Sequence, residues 1–320
     1  LYYFFFLNLI LLVKINFLAN YFGLIDYAKD KPHFLDTPKF GFFISLLIII
    51  SLFLIFTFYE INKIYFIITI YIGLFSLIGY LDDKFNLAVK TRILISLIIS
   101  IIFFSYNPND YFVSVSFLYI INILLLIFFT LGFIHLINIT DGMNGLIPSL
   151  FLYSCIYYFF KGYEYLDIYF QILIILSILS ISVFIIPNFL GITFLGNSGS
   201  YFISIIISLL FMDLYSKSIL EYSDILMIFY IPLIDGIRVT IKRIYNKQSP
   251  FKGDLNHIHH MIKKKIFKFI FFFILFLPSL INFFFQDFTI YICIVFFIIY
   301  SIFYLKIKNL KLIKVEKKEN

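Results

Sequence analysis

Three histidines within four residues, His257, His259 and His260, follow the carboxylate of Asp254 in the stretch Ser249-Pro-Phe-Lys-Gly-Asp-Leu-Asn-His-Ile-His-His260. Imidazoles beside a carboxylate, flanked by Lys247, Lys252 and Lys263 to Lys265, suit a phosphate or a metal-bound phosphate. A lone histidine is more often a structural hydrogen-bonder, but three so close point to function. Three further groupings carry chemistry. Adjacent Asp82 and Asp83 supply the oxygen ligands a hard divalent cation wants, and their repulsion could make one a general base. In Asn138-Ile-Thr-Asp141-Gly-Met-Asn144-Gly145, glycines let backbone amides approach a ligand, with oxygen donors on both sides. Gly196-Asn-Ser-Gly-Ser200 opens an apolar run, so free N–H groups and the helix dipole face an arriving anion. Taken singly, these three also read as solvated helix-end charges, a turn and an ordinary N-cap. Asp235 sits near the end of another apolar run and is expected to face protein or water rather than lipid.

The elements that must position these residues are membrane helices. The chain is 62% hydrophobic, 22% aromatic and 13% charged, where a soluble domain carries about 25% charged residues. Its mean hydropathy is +1.01. Long apolar runs without strand-like alternation give an all-α, polytopic membrane protein of about 10–11 spans. They fall near 1–18, 40–58, 64–81, 92–106, 112–134, 144–160, 165–187, 200–214, 224–237, 267–285 and 288–305. The chain does not open on Met, so residues 1–18 read as a first helix truncated at its start. Cys155 and Cys293 lie in apolar runs and are too few for a disulfide framework. One transmembrane domain is expected over 1–305, with a basic tail over 306–320.

Lysine and arginine set the orientation. If the connections alternate, 21 of the 25 basic residues fall on one face, leaving Lys63, Lys161 and Lys217 opposite and Lys14 within the first span. The positive-inside rule makes the rich face cytoplasmic, with the N-terminus outside and the C-terminus inside. That face receives loops near 26–40, 82–92, 138–146, 194–200 and 238–266, which hold all the groupings above. The opposite loops carry scattered acids, Glu60, Asp110, Glu164 and Asp167, without glycine or histidine partners. The basic tail reads as an orientation signal or anionic-lipid anchor, and no nucleic-acid partner is expected.

A cation site, a phosphate cradle and imidazoles at a membrane boundary suggest phosphate chemistry between a soluble donor and a lipid acceptor. A transporter would instead place charge at the bilayer midplane and show a repeat, and an envelope scaffold would not need the histidine loop. In its order of motifs the chain resembles the polyprenyl-phosphate N-acetylhexosamine-1-phosphate transferases, the MraY/WecA-like members of glycosyltransferase family 4. The resemblance runs from Lys31-Pro-His33, Thr37-Pro38 and Gly41 through Asp82-Asp83 and Lys90, then Asn138 and Asp141-Gly142, to Asp254 and His260. The spaced His-x-His-His form looks closer to the WecA branch.

The resemblance implies transfer of a HexNAc 1-phosphate from a UDP-sugar to undecaprenyl phosphate, with release of UMP. This would be the initiating membrane step of envelope polysaccharide or peptidoglycan synthesis, at the bacterial inner membrane and facing the cytoplasm. It implies Mg²⁺ (or Mn²⁺) near Asp82, Asp83 and Asn197, with Asp82, Asp83 and Asp141 as the catalytic acids. Lys90 and Arg92 would neutralise phosphate charge. Asn138, Asn144, Asp254 and the three histidines would hold substrate, and relatives allow a homodimer. The chain departs from the family at Asn197 and Asn144, each where an Asp is usual. His135 stands where an Asn is common, Asp36 replaces a Pro, and Phe42 replaces a second Gly in the first loop. Metal affinity and sugar identity are the properties these changes touch.

Overall fold

The computed structural model describes residues 1–28, 35–59, 63–106, 119–249, 256–262 and 264–319, and it divides into two units, Leu1–Leu220 and Glu221–Asn320. The first holds α1 (Tyr2–Val13), α2 (Ile15–Phe22), α3 (Gly41–Tyr59), α4 (Lys63–Phe85), α5 (Val89–Tyr106), α6 (Tyr119–Thr140), α7 (Leu146–Gly162), α8 (Ile168–Phe189) and α9 (Gly196–Ser216). Two short strands, β1 (Ile25–Asp26) and β2 (Thr37–Pro38), pair antiparallel between α2 and α3. The second unit holds α10 (Tyr222–Ile228), α11 (Tyr230–Tyr245), α12 (Ile258–Met261), α13 (Lys265–Phe284) and α14 (Thr289–Glu319).

Eight of these helices, α3–α6, α8, α9, α13 and α14, are long and apolar enough to cross a membrane, and the pair α1 and α2, bent by 71°, makes a ninth if counted as one span. The protein is a multi-pass membrane protein. Three expected spans take other forms: residues 1–18 belong to the bent pair, 144–160 became the 17-residue α7, and 224–237 broke at Phe229 into α10 and α11. The start of the span expected at 112–134 lies outside the described residues, as do Glu60 and Asp110.

Within the first unit α9 is the central helix, buried along nearly its whole length, whereas α5 leaves most of its surface exposed. A helix buried all round needs its polar side chains satisfied internally. Ser204 and Ser208 do so by donating to the carbonyls of Ser200 and Ser204 at 2.6 and 2.8 Å. Gly79 lets α4 press against the start of α9, since a Cβ there would lie 2.5 Å from the Asn197 carbonyl oxygen. The chain beyond β2 is tied to the segment entering α9. Phe194 donates to the Pro38 carbonyl at 2.9 Å, and Phe40 and Gly41 donate to the carbonyls of Phe194 and Leu195 at 2.8 and 3.0 Å. This strap brings Lys39 to the beginning of α9.

Candidate active site

The end of α4, the start of α5, the end of α6 and the start of α9 meet at one end of the first unit. Asp83, whose side chain is 2% exposed, accepts from Lys39 Nζ at 2.8 Å and from the backbone N–H of Asn197 at 3.0 Å through Oδ1. Its Oδ2 accepts from the Ser198 N–H at 3.0 Å. The free N–H groups and dipole at a helix N-terminus attract an anion, and here the anion is Asp83 itself. Asp82 Oδ2 accepts from Arg92 Nη1 at 2.6 Å and from the Asn197 side-chain amide at 2.7 Å. Asn197 Oδ1 in turn accepts from Asn138 Nδ2 at 2.9 Å, and the same amide reaches Ser200 Oγ at 3.3 Å. Asn197 is thus a relay that joins α6 to α4 through α9.

Asp141 closes the group from the turn after α6. Burial and the neighbouring Asp83 raise its carboxyl from the ordinary 3.8 to about 7, against the opposing pull of Lys39. No described residue donates a hydrogen bond to its side chain. The balance is three carboxylates, Asp82, Asp83 and Asp141, against two fixed cations, Lys39 and Arg92. That shortfall, an all-oxygen donor set and a carboxyl raised by burial and by Asp83 together fit a hard divalent cation. Asp141 would be its main holder, because Asp83 and one oxygen of Asp82 are already engaged by protein donors. Among the described residues no three His, Cys, Asp or Glu side chains form a ready-made metal cluster.

The loop that carries Asp141 is held from α8. Asn188 accepts from the Gly145 N–H at 2.6 Å and donates to the Thr193 carbonyl at 2.9 Å, linking the turn before α7 to the segment before α9. Asn144 lies in that turn beside Gly191.

A second centre is built wholly within the second unit. Asp235 on α11 accepts at Oδ1 from Arg238 Nη2 and the Tyr300 hydroxyl, both at 2.7 Å, and at Oδ2 pairs with His257 Nδ1 at 2.8 Å. Burial alone would raise this carboxyl, but His257, Arg238 and Tyr300 outweigh it and hold it at about 2. Arg238 also donates to the Asn256 carbonyl at 2.7 Å and stacks over the Tyr304 ring at 4.2 Å. The His257 and His259 rings stack 5.5 Å apart at 13°. Burial, then His260, lowers His259 to about 3, so it is uncharged near neutrality. Among the described residues neither Nε2 of His257 nor Nε2 of His259, both buried, has a hydrogen-bond partner.

Residues 64–215 match the model of a family described as "Glycosyl transferase family 4". That stretch contains Asp82, Asp83, Arg92, Asn138, Asp141, Asn144 and Asn197. Over that stretch the chain is similar to glycosyl transferase family 4. Similar proteins include a Bacillus subtilis (strain 168) protein named "Probable undecaprenyl-phosphate N-acetylglucosaminyl 1-phosphate transferase", 29% identical over 259 residues, 75% of this chain and 70% of the relative. Proteins named "Undecaprenyl-phosphate alpha-N-acetylglucosaminyl 1-phosphate transferase" are also similar. The one from Escherichia coli O157:H7 is 27% identical and covers 60% of this chain and 56% of its own length. The one from Thermotoga maritima is 25% identical and covers 60% of each. The chain therefore spans less than two thirds of the latter two.

Of the residues singled out in the sequence, Asp82, Asp83, Arg92, Asn138, Asp141 and Asn197 come together, while Asn144 stands in the adjoining turn. Lys90 is exposed near the start of α5 and has no hydrogen bond or ion pair among the described residues. His257, His259 and His260 belong to the second unit, and Asp254 lies outside the described residues, as do Lys31, Pro32, His33, Lys252 and Lys263. Lys39, Asn188, Asp235, Arg238 and Tyr300 belong to these two centres or brace them and were not among the expected site residues. Lys39 falls in the loop near 26–40 as one basic residue of the rich face, Arg238 opens the loop near 238–266, and Asp235 stands near the end of an apolar run with no partner legible in the sequence. Asn188 carried no signal, being an amide at the end of an apolar run.

Proposed function

We propose that this protein transfers an N-acetylhexosamine 1-phosphate from a UDP-sugar to undecaprenyl phosphate and releases UMP. The observation that carries the reading is the group of three carboxylates and two cations, assembled from the matched stretch and Lys39. It is supported by the activity after which the similar proteins are named. In the reaction an oxygen of the lipid phosphate attacks the sugar-bearing phosphorus. The bond from that phosphorus to the bridging oxygen breaks, and UMP leaves. Such a displacement needs little covalent help from protein and much positive charge where negative charge gathers.

Arg92 and Lys39 provide fixed positive charge at this end of the first unit, and Asn138 and Asn197 keep Asp82 in place. Mg²⁺ or Mn²⁺, held by Asp141 with Asp82 and Asp83, would polarise phosphate oxygens and offset their charge. The histidine centre is assigned to the nucleotide diphosphate. The inner membrane, a cytoplasmic site and a role in starting envelope polysaccharide belong to the same reading.

The test is UMP release by purified protein with undecaprenyl phosphate, Mg²⁺ and a panel of UDP-HexNAc donors. Release with one donor, abolished by a chelator and in Asp141→Asn, is expected. Absence of UMP with every donor, from protein that melts cooperatively, would overturn the proposal.

A further inference from the structure

We propose that Asp235 and His257 form a proton-coupled site for the nucleotide diphosphate, in which His257 gains a proton at Nε2 as the ligand's phosphate oxygens arrive. This deepens the function proposed above and rests on its assignment of the histidine centre to the nucleotide. Asp235 is the positioning residue of the pair.

Asp235 receives hydrogen bonds from Arg238 and Tyr300, and the Ile258 N–H lies 3.3 Å from both its oxygens. A carboxylate so supplied with donors stays ionised and has only acceptor capacity toward the imidazole. His257 must therefore carry hydrogen on Nδ1, the atom 2.8 Å from Asp235 Oδ2. In the neutral ring that tautomer leaves Nε2 as a bare lone pair, and Nε2 is buried and has no hydrogen-bond partner among the described residues. The side chain is 6% exposed. An orphaned buried nitrogen is costly unless a ligand completes it.

A lone pair cannot bond a phosphate oxygen, which is also an acceptor. Protonation at Nε2 turns it into a charge-assisted donor, and Asp235 stabilises the imidazolium from the other edge. The groups around His257 favour this outcome. On α11 they are Asp235 and Arg238, which offset one another, and from α14 Tyr300 joins the same pair. On α12, His259 and His260 stand beside it as stacked and tilted rings, and His259 is uncharged. Among the described residues no second anion faces His257 from these elements, which favours a positive charge directed at the ligand.

The experiment is titration calorimetry of UDP into full-length protein in nanodiscs at pH 8, in buffers of different ionisation enthalpy. It is paired with ¹⁵N spectra of histidine-labelled protein, in which a His257→Ala sample assigns the His257 signals. Wild-type protein should take up about one proton per UDP bound, with His257 protonated on Nδ1 alone before UDP and on both nitrogens after. Asp235→Asn should abolish the uptake and weaken UDP binding about 10- to 100-fold, the scale on which orienting partners of functional histidines act. Asp235→Glu should restore part of both. If Asp235→Asn fails to fold, the wild-type spectrum still decides: a free-state proton on Nε2 overturns the proposal. Binding without proton uptake, or no UDP binding at all, overturns it as well. UMP release without proton uptake on UDP binding would leave the transferase reading standing and sink this one. Proton-coupled UDP binding with no UMP from any donor would do the reverse.

Discussion

Asn197 is the side chain on which the first centre turns. Its amide donates to Asp82 at 2.7 Å and so supplies part of the positive potential that a cation would otherwise provide. Asn197→Asp removes that donor and adds a fourth carboxylate beside Asp82, Asp83 and Asp141. Without divalent cation the variant should lose about 2 kcal/mol, the scale of a buried hydrogen bond to a charged group. With Mg²⁺ it should recover and bind the ion more tightly than wild type. The chain has no Trp, so melting is followed with a thiol-reactive dye on buried Cys155. Equal Mg²⁺ stabilisation of both proteins would show that Asn197 plays no such part. Asp141 gives a second test. A pKa raised from 3.8 to about 7 means that the folded protein holds this proton more tightly than the unfolded chain. Its contribution to stability is therefore complete below about pH 4 and falls away as pH rises through 7. In metal-free buffer Asp141→Asn should gain melting temperature relative to wild type at pH 8 but not at pH 4. A difference that does not change with pH would contradict the raised pKa.

At the scale of elements, the N-terminus of α9 is capped from another helix rather than from its own N-cap residue, Leu195, which makes no side-chain capping bond. Gly196 permits this. It adopts φ +74°, and a Cβ on it would lie 2.7 Å from Asp83 Oδ2. Gly196→Ala should cost about 1–2 kcal/mol for the left-handed conformation alone and should also displace Asp83, lowering UMP release together with melting temperature. Gly132 on α6, with nothing within 4 Å of its would-be Cβ, is the contrasting site: Gly132→Ala should be neutral or stabilising by up to about 1 kcal/mol. Equal effects at the two positions would remove the close approach of Asp83 as the cause. The sequence shows where such elements lie because long apolar runs and their polar ends are local signals. It does not show that Asp83 would fill the anion position at α9, since that contact joins residues 114 apart. Lys39 is hidden for the same reason: it reaches Asp83 only through the strap between β2 and the entry to α9. The break at Phe229 is equally silent, because residues 224–237 are apolar enough to read as one span. Asp235 looked like a costly charge within that span, and only the fold supplies Arg238, Tyr300 and His257 as its partners.

At the scale of the molecule, the first unit tests the orientation written in its charges. The C-terminal ends of α4, α6 and α8 and the N-terminal ends of α5 and α9 supply the groups around Asp82, Asp83 and Asn188. Successive helices from α4 to α9 must therefore run alternately toward this end and away from it. The 17-residue α7 is no exception, for α7 leaves from Gly145 and α8 returns to Asn188, which bonds it. At about 1.5 Å per residue α7 is roughly 25 Å long, close to the hydrocarbon thickness of a bilayer. The other end of the unit is marked by Lys217, which pairs with Asp213 at 2.9 Å and with Asp167 at 3.5 Å. Lys63 begins α4, one helix length from Asp83, and belongs to that other end too. The basic residues that gather near Asp83 predict that this end is cytoplasmic, and so is the basic loop containing Ser249. In a background with Cys155 and Cys293 replaced by serine, Lys63→Cys should react with a membrane-impermeant maleimide in right-side-out vesicles only. Ser249→Cys should react in inverted vesicles only. Both residues are exposed, so a lack of labelling from one side reflects the membrane rather than burial. The reverse pattern would place the carboxylates on the face where no UDP-sugar is made, and the proposed reaction would have no donor.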